Sequence, residues 1–353
     1  MCTENGAPRK GAGAVYSTWN SIIPFKKNGL SGTAKGPSQV HMQSTSSSSM
    51  KKAAGQINAQ MQCRCKSTRS QQMMRTRLQA AAFSSSSATL VGYGRVGKAF
   101  AKMLGDDLAA TVSRRNGSIS LDGKGPIYVC TTNDALDDVL QRTPPARRRD
   151  LVLLQNGWLL PWLDRNGLED VTLVALYMAA SPGGTATDGR RTVASGRWGD
   201  HVASTLNRGG VSCAVVSRDA LYKALVEKAL WASIFWMLSC ALGGAKVGDI
   251  AVHHRLDVKA LVDELLPMMR QSLEAAAAKR PGADAAAAAL RDHGTVLDAL
   301  MDYSMSIGQA VPSREMALAE FSWRNGALLE MGLTPLHCSW LQRAGVDITS
   351  YVK

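Results

Sequence analysis

A doubly wound α/β domain followed by an all-helical domain is the architecture this sequence predicts, on three observations. A short apolar run ends in the glycine-rich turn Gly92-Tyr-Gly94-Arg95-Val96-Gly97 and continues at helical spacing through Phe100, Met103 and Leu104. Apolar runs of strand length then alternate with a helical run as far as Gly157, the pattern of a parallel sheet with crossover helices. Beyond residue 218 apolar side chains recur mostly at the helical period. A length of 353 residues suits two domains, and 45% hydrophobic residues suffice for a sizeable core. The expected division is a leader over residues 1–87, an α/β domain over 88–218 and a helical domain over 219–353.

Charge separates the leader from the rest. The chain carries +13, but twelve of its Lys and Arg, against the single acid Glu4, lie in residues 1–87. The remainder is close to neutral and offers no counterion release to a nucleic acid. The leader is rich in Ser, with runs at Ser46–Ser49 and Ser84–Ser87, and has too little apolar patterning to offset its ordering entropy. Acid-poor, Arg- and Ser-rich N-termini are typical of transit peptides, so a mitochondrial or plastid address is expected. The alternatives are an untargeted tail, which would leave the protein cytoplasmic, or translation starting near Met73.

Membrane and metal chemistry are not expected. No run of eighteen uncharged apolar residues occurs, and Ala229–Ala245 reads as a buried core helix. The seven cysteines are odd in number and scattered, with no CxxC pair, which suits reduced thiols rather than a zinc site or disulfide framework. His253-His254 lack a third ligand at metal spacing.

The glycine turn has a specific physics. Gly92 permits a tight turn, Gly94 lets backbone approach a pyrophosphate, and Gly97 lets the helix lie close to the strand. The helix start, at Arg95 and Val96, offers free N–H groups to phosphate. This makes the first domain Rossmann-type, with a dinucleotide as its cofactor. The next strand, from Ala110, ends in Ser113-Arg114-Arg115, where an acid would read the ribose of NAD. Guanidinium groups there suit the 2′-phosphate of NADP (NADPH), although a solvated basic loop would look the same. Two further strands, Pro126–Asn133 and Leu151–Gly157, flank a helix from Asp134, which Asn133 or Asp134 can cap. Ligands of such sheets sit beyond the carboxyl ends of the strands, which singles out Thr131, Thr132, Asn133, Gln155, Asn156 and Gly157.

In the helical half, Gly243-Gly244 stops a long apolar helix. Lys279-Arg280-Pro281-Gly282 breaks two alanine-rich ones, and Pro312-Ser313 starts another with Ser313 as a potential N-cap. Lys228 stands on the long apolar helix. It is either a lysine whose stem covers apolar surface or a desolvated amine tuned for proton transfer.

With these pieces in order, the chain resembles the ketopantoate reductase family from about Ala88 to its end. The resemblance rests on the glycine turn, Gln155-Asn156-Gly157, Glu227-Lys228-Ala-Leu-Trp231, and Pro312-Ser313 followed by Glu320-Phe-Ser-Trp-Arg-Asn325-Gly326. It implies a Rossmann domain, a helical domain, a cleft between them, and reduction of a 2-keto acid by NADPH. It further implies Lys228 as general acid, Asn156 near nicotinamide and substrate, and Ser313 on the substrate carboxylate. Glu320 would hold the substrate hydroxyl or tune Lys228. Two departures stand out. Ala232 and Trp236 occupy positions, one and two turns after Lys228, where the family has Asn, so an indole is expected in the space beside Lys228. Ser313 also lies closer to Glu320 than in the family. A bulkier carbonyl substrate against Trp236, or an NADPH-binding sensor without catalysis, are the alternatives. A homodimer through the helical domain fits but is not legible in the residues.

Overall fold

The computed structural model describes residues 87–112 and 117–352. The leader, and with it the targeting expectation, lies outside the described residues, as do Arg114 and Arg115. Five short strands, β1 (Ala88–Val91), β2 (Leu108–Val112), β3 (Ile127–Val129), β4 (Leu151–Leu153) and β5 (Thr172–Ala175), pair in parallel in the order β2-β1-β3-β4-β5. After the hairpin β6 (Met178–Ala180) and β7 (Ala186–Asp188), β8 (Thr192–Ser195) joins β5 antiparallel, and β9 (Cys213–Val215) extends the sheet beside β8. The sequence places the second strand from Ala110; the structure begins it at Leu108. The strands after Gly157 escaped the sequence reading because runs of three or four residues carry too little periodicity.

Alternation along each strand builds two layers. Leu90, Tyr128, Val152 and Val174 face one side, where they meet α1 (Arg95–Leu104) through Ala99, Phe100 and Leu104. Val91, Val129, Leu151, Leu153 and Leu173 face the other, against α2 (Leu136–Arg142) and α3 (Leu160–Arg165). The first layer is completed by α4 (Gly199–Arg208), through Val202 and Leu206.

From Arg218 on, every described element is helical. The first, α5 (Arg218–Ala241), is largely apolar with no sharply separated polar face, which suits a helix at the core of the domain. It is the one described helix long and apolar enough to cross a membrane. Here Leu221, Leu230, Ile234, Phe235 and Leu238 are all buried in the protein core. Gly243 and Gly244, both at positive φ, stop it, with Gly244 N donating to Ser239 O at 2.7 Å. Around it pack α6 (Val247–His253), α7 (Arg255–Ala276), α8 (Ala283–Ala289), α9 (His293–Ser306), α10 (Arg314–Ala319), α11 (Asn325–Met331) and α12 (Pro335–Arg343). Arg280, in the break between α7 and α8, is 1% exposed and donates from Nε to Asp164 at the end of α3, 2.8 Å away. That bond ties the helical half to the sheet layer. The four described cysteines are free, so no disulfide adds to it.

A second buried ion pair anchors the approach to β4. Arg147 donates to Asp150 at 2.7 Å and to the carbonyls of Ser120 and Gly125, while Trp198 Nε1 donates to the other Asp150 oxygen at 3.2 Å. Removing one partner of a buried pair strands the other. Asp150→Ala is therefore expected to lower stability by about 3–5 kcal/mol, read as a shift of the urea unfolding midpoint; a change below about 1 kcal/mol would show that the pair is not what holds this corner.

Candidate functional site

The crossovers leave β1 and β3 in opposite directions, so the carboxyl ends of these neighbouring strands part and open a crevice. Gly92 closes β1 at φ 91°, and a Cβ there would lie 2.9 Å from Thr131 Cγ2. A Cβ on Gly97 would fall 2.1 Å from Gly92 O, so only glycine lets α1 start this close to β1. Gly94, at the N-cap of α1, has nothing within 4 Å of a built Cβ. No side chain caps α1 and its first turn holds no acid, which leaves its N–H groups and dipole facing that space. Thr131 Oγ1, at the end of β3, is buried with no partner. Of the two residues that begin α1, Val96 packs on the core and Arg95 is exposed, its Nη2 directed at Met316 Sδ on α10 at 3.5 Å. An open glycine, an uncapped helix start and an unpartnered hydroxyl are what a pyrophosphate-bearing cofactor requires.

The β4 end is locked by side chains. Gln155 accepts from Leu154 N and donates to Val129 O at 2.9 Å and Thr131 O at 3.1 Å, which makes it a strut between β3 and β4. Asn133 spends its amide on Asn156 O at 2.8 Å rather than on a helix cap. Asn156 is left half-buried at the strand end. Gly157, at φ 92°, lies so close to Trp323 that a Cβ would be 2.2 Å from Trp323 O, and Trp158 N donates to that same carbonyl at 2.7 Å. The segment from Glu320 to Asn325 is thereby fixed against the β4 loop.

Lys228, on α5, reaches the neighbouring strand end. Its Nζ donates to Leu176 O at 2.6 Å, just past β5, and lies 5.4 Å from the centroid of the Tyr177 ring. Burial, then the nearby Arg324 charge, pushes its pKa down to about 7, with Glu320 opposing. Glu320 and Arg324 form an ion pair with each other, four residues apart, both side chains largely buried. Arg324 is the residue the sequence reading passed over; the i, i+4 acid–base spacing was its only signal. Ser313 is the N-cap of α10, accepting from Met316 N at 3.3 Å. Ala232, one turn beyond Lys228, is half-buried and brings no polar group.

Trp236, two turns beyond Lys228, is 2% exposed and packs edge-on against Phe321, the neighbour of Glu320, at 6.4 Å. Among the described residues no cluster could hold a metal ion. An open depression of about 630 Å³ lies elsewhere, between the ends of α1 and α4 and the β6–β7 hairpin, with Lys102, Asp106, Asp107 and Arg208 on its walls. Its mixed charge and distance from the strand ends separate it from this site.

Comparison with known proteins gives a fold. Neither a family model nor a curated protein matches the sequence. Among solved structures, a D-mandelate dehydrogenase with NADH and anilino(oxo)acetate matches at a TM-score of 0.51 and 14% identity, over 75% of this chain and 100% of that one. A complex of D-mandelate dehydrogenase with NADH matches at a TM-score of 0.52 and 14% identity, over 73% and 97% of the two chains. A probable 2-dehydropantoate 2-reductase of Bacillus subtilis matches at 0.49 and 14% identity, over 75% and 96%. The chain thus has the fold of the D-mandelate dehydrogenase structures, a Rossmann-type sheet followed by a helical domain.

The two glycines of the turn make separable predictions. Gly97→Ala is expected to lower the melting temperature, because the methyl group meets backbone. Gly94→Ala has room and an ordinary φ of −74°, so it should fold normally yet weaken NADPH binding by more than about tenfold in a fluorescence titration. Equal affinity in Gly94→Ala would place the dinucleotide elsewhere.

Proposed function

We propose that the protein is an NADPH-dependent reductase of a 2-keto acid, a divergent relative of the ketopantoate reductases with Lys228 as proton donor. The observation that carries this reading is Lys228 itself. A lysine on a largely apolar helix is held just past the carboxyl end of β5, on the Leu176 carbonyl and near Glu320 and Arg324, with its pKa lowered to about 7. Unpaired lysines are rarely buried, and a pKa near the working pH is what a general acid needs. The likeness in fold to D-mandelate dehydrogenase bound to NADH supports the same direction.

The chain's own groups would divide the work as follows. The Gly92–Gly97 turn, the start of α1 and Thr131 would hold the pyrophosphate, with Arg114 and Arg115 toward the 2′-phosphate that selects NADP. The bound nicotinamide supplies the hydride. Asn156, carried on a strut-locked strand end, would orient the substrate carbonyl, and Lys228 would donate the proton its oxygen takes up. Glu320 and Arg324 would set the charge that Lys228 feels. Ser313 serves the site by capping the helix that leads to Glu320. The basic leader would address the protein to a mitochondrion or plastid.

The test uses the full chain: NADPH fluorescence on titration, then its decay with a panel of 2-keto acids that includes ketopantoate. Binding followed by decay is expected. Lys228→Met should lower turnover about 10²- to 10⁴-fold with NADPH affinity retained; unchanged turnover would remove Lys228 from the chemistry. The pH sign follows from the lowered pKa. Lys228 is protonated below about 7, so the reduction rate should hold there and fall as pH rises above it. A rate flat to pH 9 would contradict the assignment.

A second reading, an NADPH-binding protein without turnover, is favoured by the absence of a polar group at Ala232 and by the packing of Trp236 into the core. Tight NADPH binding with no decay on any keto acid would select it.

A further inference from the structure

We propose that Arg324 is the receptor for the substrate's carboxylate, and so the residue that makes the site select 2-keto acids over neutral carbonyls. The inference rests on the reductase reading for the identity of the ligand, and on the following geometry for the residue.

A guanidinium has donors on three nitrogens. Among the described residues, only Nη2 of Arg324 has a partner, the Glu320 carboxylate. Nε is buried with no hydrogen-bond partner at all. A buried donor without a partner is costly, and its presence in a folded protein calls for a ligand, water or ion to meet it. Arg324 is the neighbour of Trp323, whose carbonyl takes the Trp158 N–H and abuts Gly157. That seam holds the Arg324 backbone against the loop carrying Asn156. Its charge is also strong enough at Lys228 to help lower that amine's pKa. The site thus gathers Lys228, Arg324 and Glu320, and when Lys228 carries its proton the two cations outnumber the one acid, which favours an anion.

Carboxylate recognition by arginine is bidentate and charge-assisted, with two parallel N–H donors on one carboxylate. The ion pair with Glu320 holds the guanidinium in place without using all its donors. Ser313 caps α10 through its oxygen, accepting from Met316 N, and could offer a carboxylate a single O–H, where the guanidinium offers a charged pair of donors. Ala232 adds no polar group beside Lys228, so the rest of the substrate would meet an apolar wall. The substrate class this describes is a monoanionic 2-keto acid with an apolar remainder.

The experiment compares the full-length protein with Arg324→Met, Arg324→Lys and the double variant Glu320→Gln/Arg324→Met, all loaded with NADPH. Two ligands are used, phenylglyoxylate and its methyl ester, and both binding (by calorimetry) and turnover are measured. Loss of the charge-assisted pair should weaken binding of the acid about 10- to 100-fold and raise its KM more than it changes kcat. The ester should be affected little, so the preference for acid over ester collapses. Arg324→Lys should restore part of that preference, which a purely structural arginine would not require. In the double variant no uncompensated Glu320 charge remains, and the acid should still bind weakly. An unchanged acid-to-ester ratio in Arg324→Met, with NADPH affinity intact, would overturn the proposal. If the wild-type protein binds the acid tightly but does not turn it over, the arginine stands and the reductase reading fails. If the wild-type protein shows no preference for the acid in binding, the arginine proposal is overturned directly.

Discussion

The position of Lys228 on a largely apolar core helix is the constraint on which the site depends. α5 is buried because it packs against the sheet on one side and the other helices on another. A charged group held where such a helix packs against the rest of the protein must find partners there or lose its charge. Lys228 does part of each. It finds the carbonyl of Leu176, and burial together with Arg324 brings its pKa down to about 7. The same apolar surface that stabilises the helical half therefore tunes the amine.

The glycines carry the opposite kind of constraint, one of space rather than charge. Gly97 exists because α1 starts against the backbone of Gly92. Gly157 exists because the β4 loop abuts Trp323. The first close approach builds the crevice within the Rossmann half, and the second seals the helical half to it. Between these two contacts lie Asn156, Lys228, Glu320 and Arg324, contributed by a strand end, a long helix and a short irregular segment. Each is placed by packing that none of them makes alone. The segment that follows α10 packs Phe321 against Trp236 and pairs Arg324 with Glu320.

Much of the fold was legible because its signals are local. The glycine turn, the alternation of apolar runs and helices, the stop at Gly243-Gly244 and the break at Lys279–Gly282 depend only on neighbours in sequence. The chain after Gly157 was harder. Strands β5 to β9 are each three or four residues long, and in so short a run hydrophobic content does not distinguish a strand from a buried helix. Gln155 and Asn133 read as ligand-facing polar residues, yet their side chains hold β3 to β4 and the strand end to its loop. Sequence cannot separate these uses, because both need the same residue type at the same place.

The sequence by itself determined the order of elements as far as Gly157, the glycine turn and the helical character of the chain beyond residue 218, since each follows from the chemistry of nearby residues. Only the tertiary structure decided which way those residues face. It placed Trp236 in the core and Ser313 on a cap. It joined Arg324 to Glu320 beside Lys228, with a buried donor left over. Such outcomes depend on contacts between segments as much as 100 residues apart, as Lys228 and Arg324 nearly are. The burial, charge and hydrogen bonding that fix them do not exist until the chain has folded.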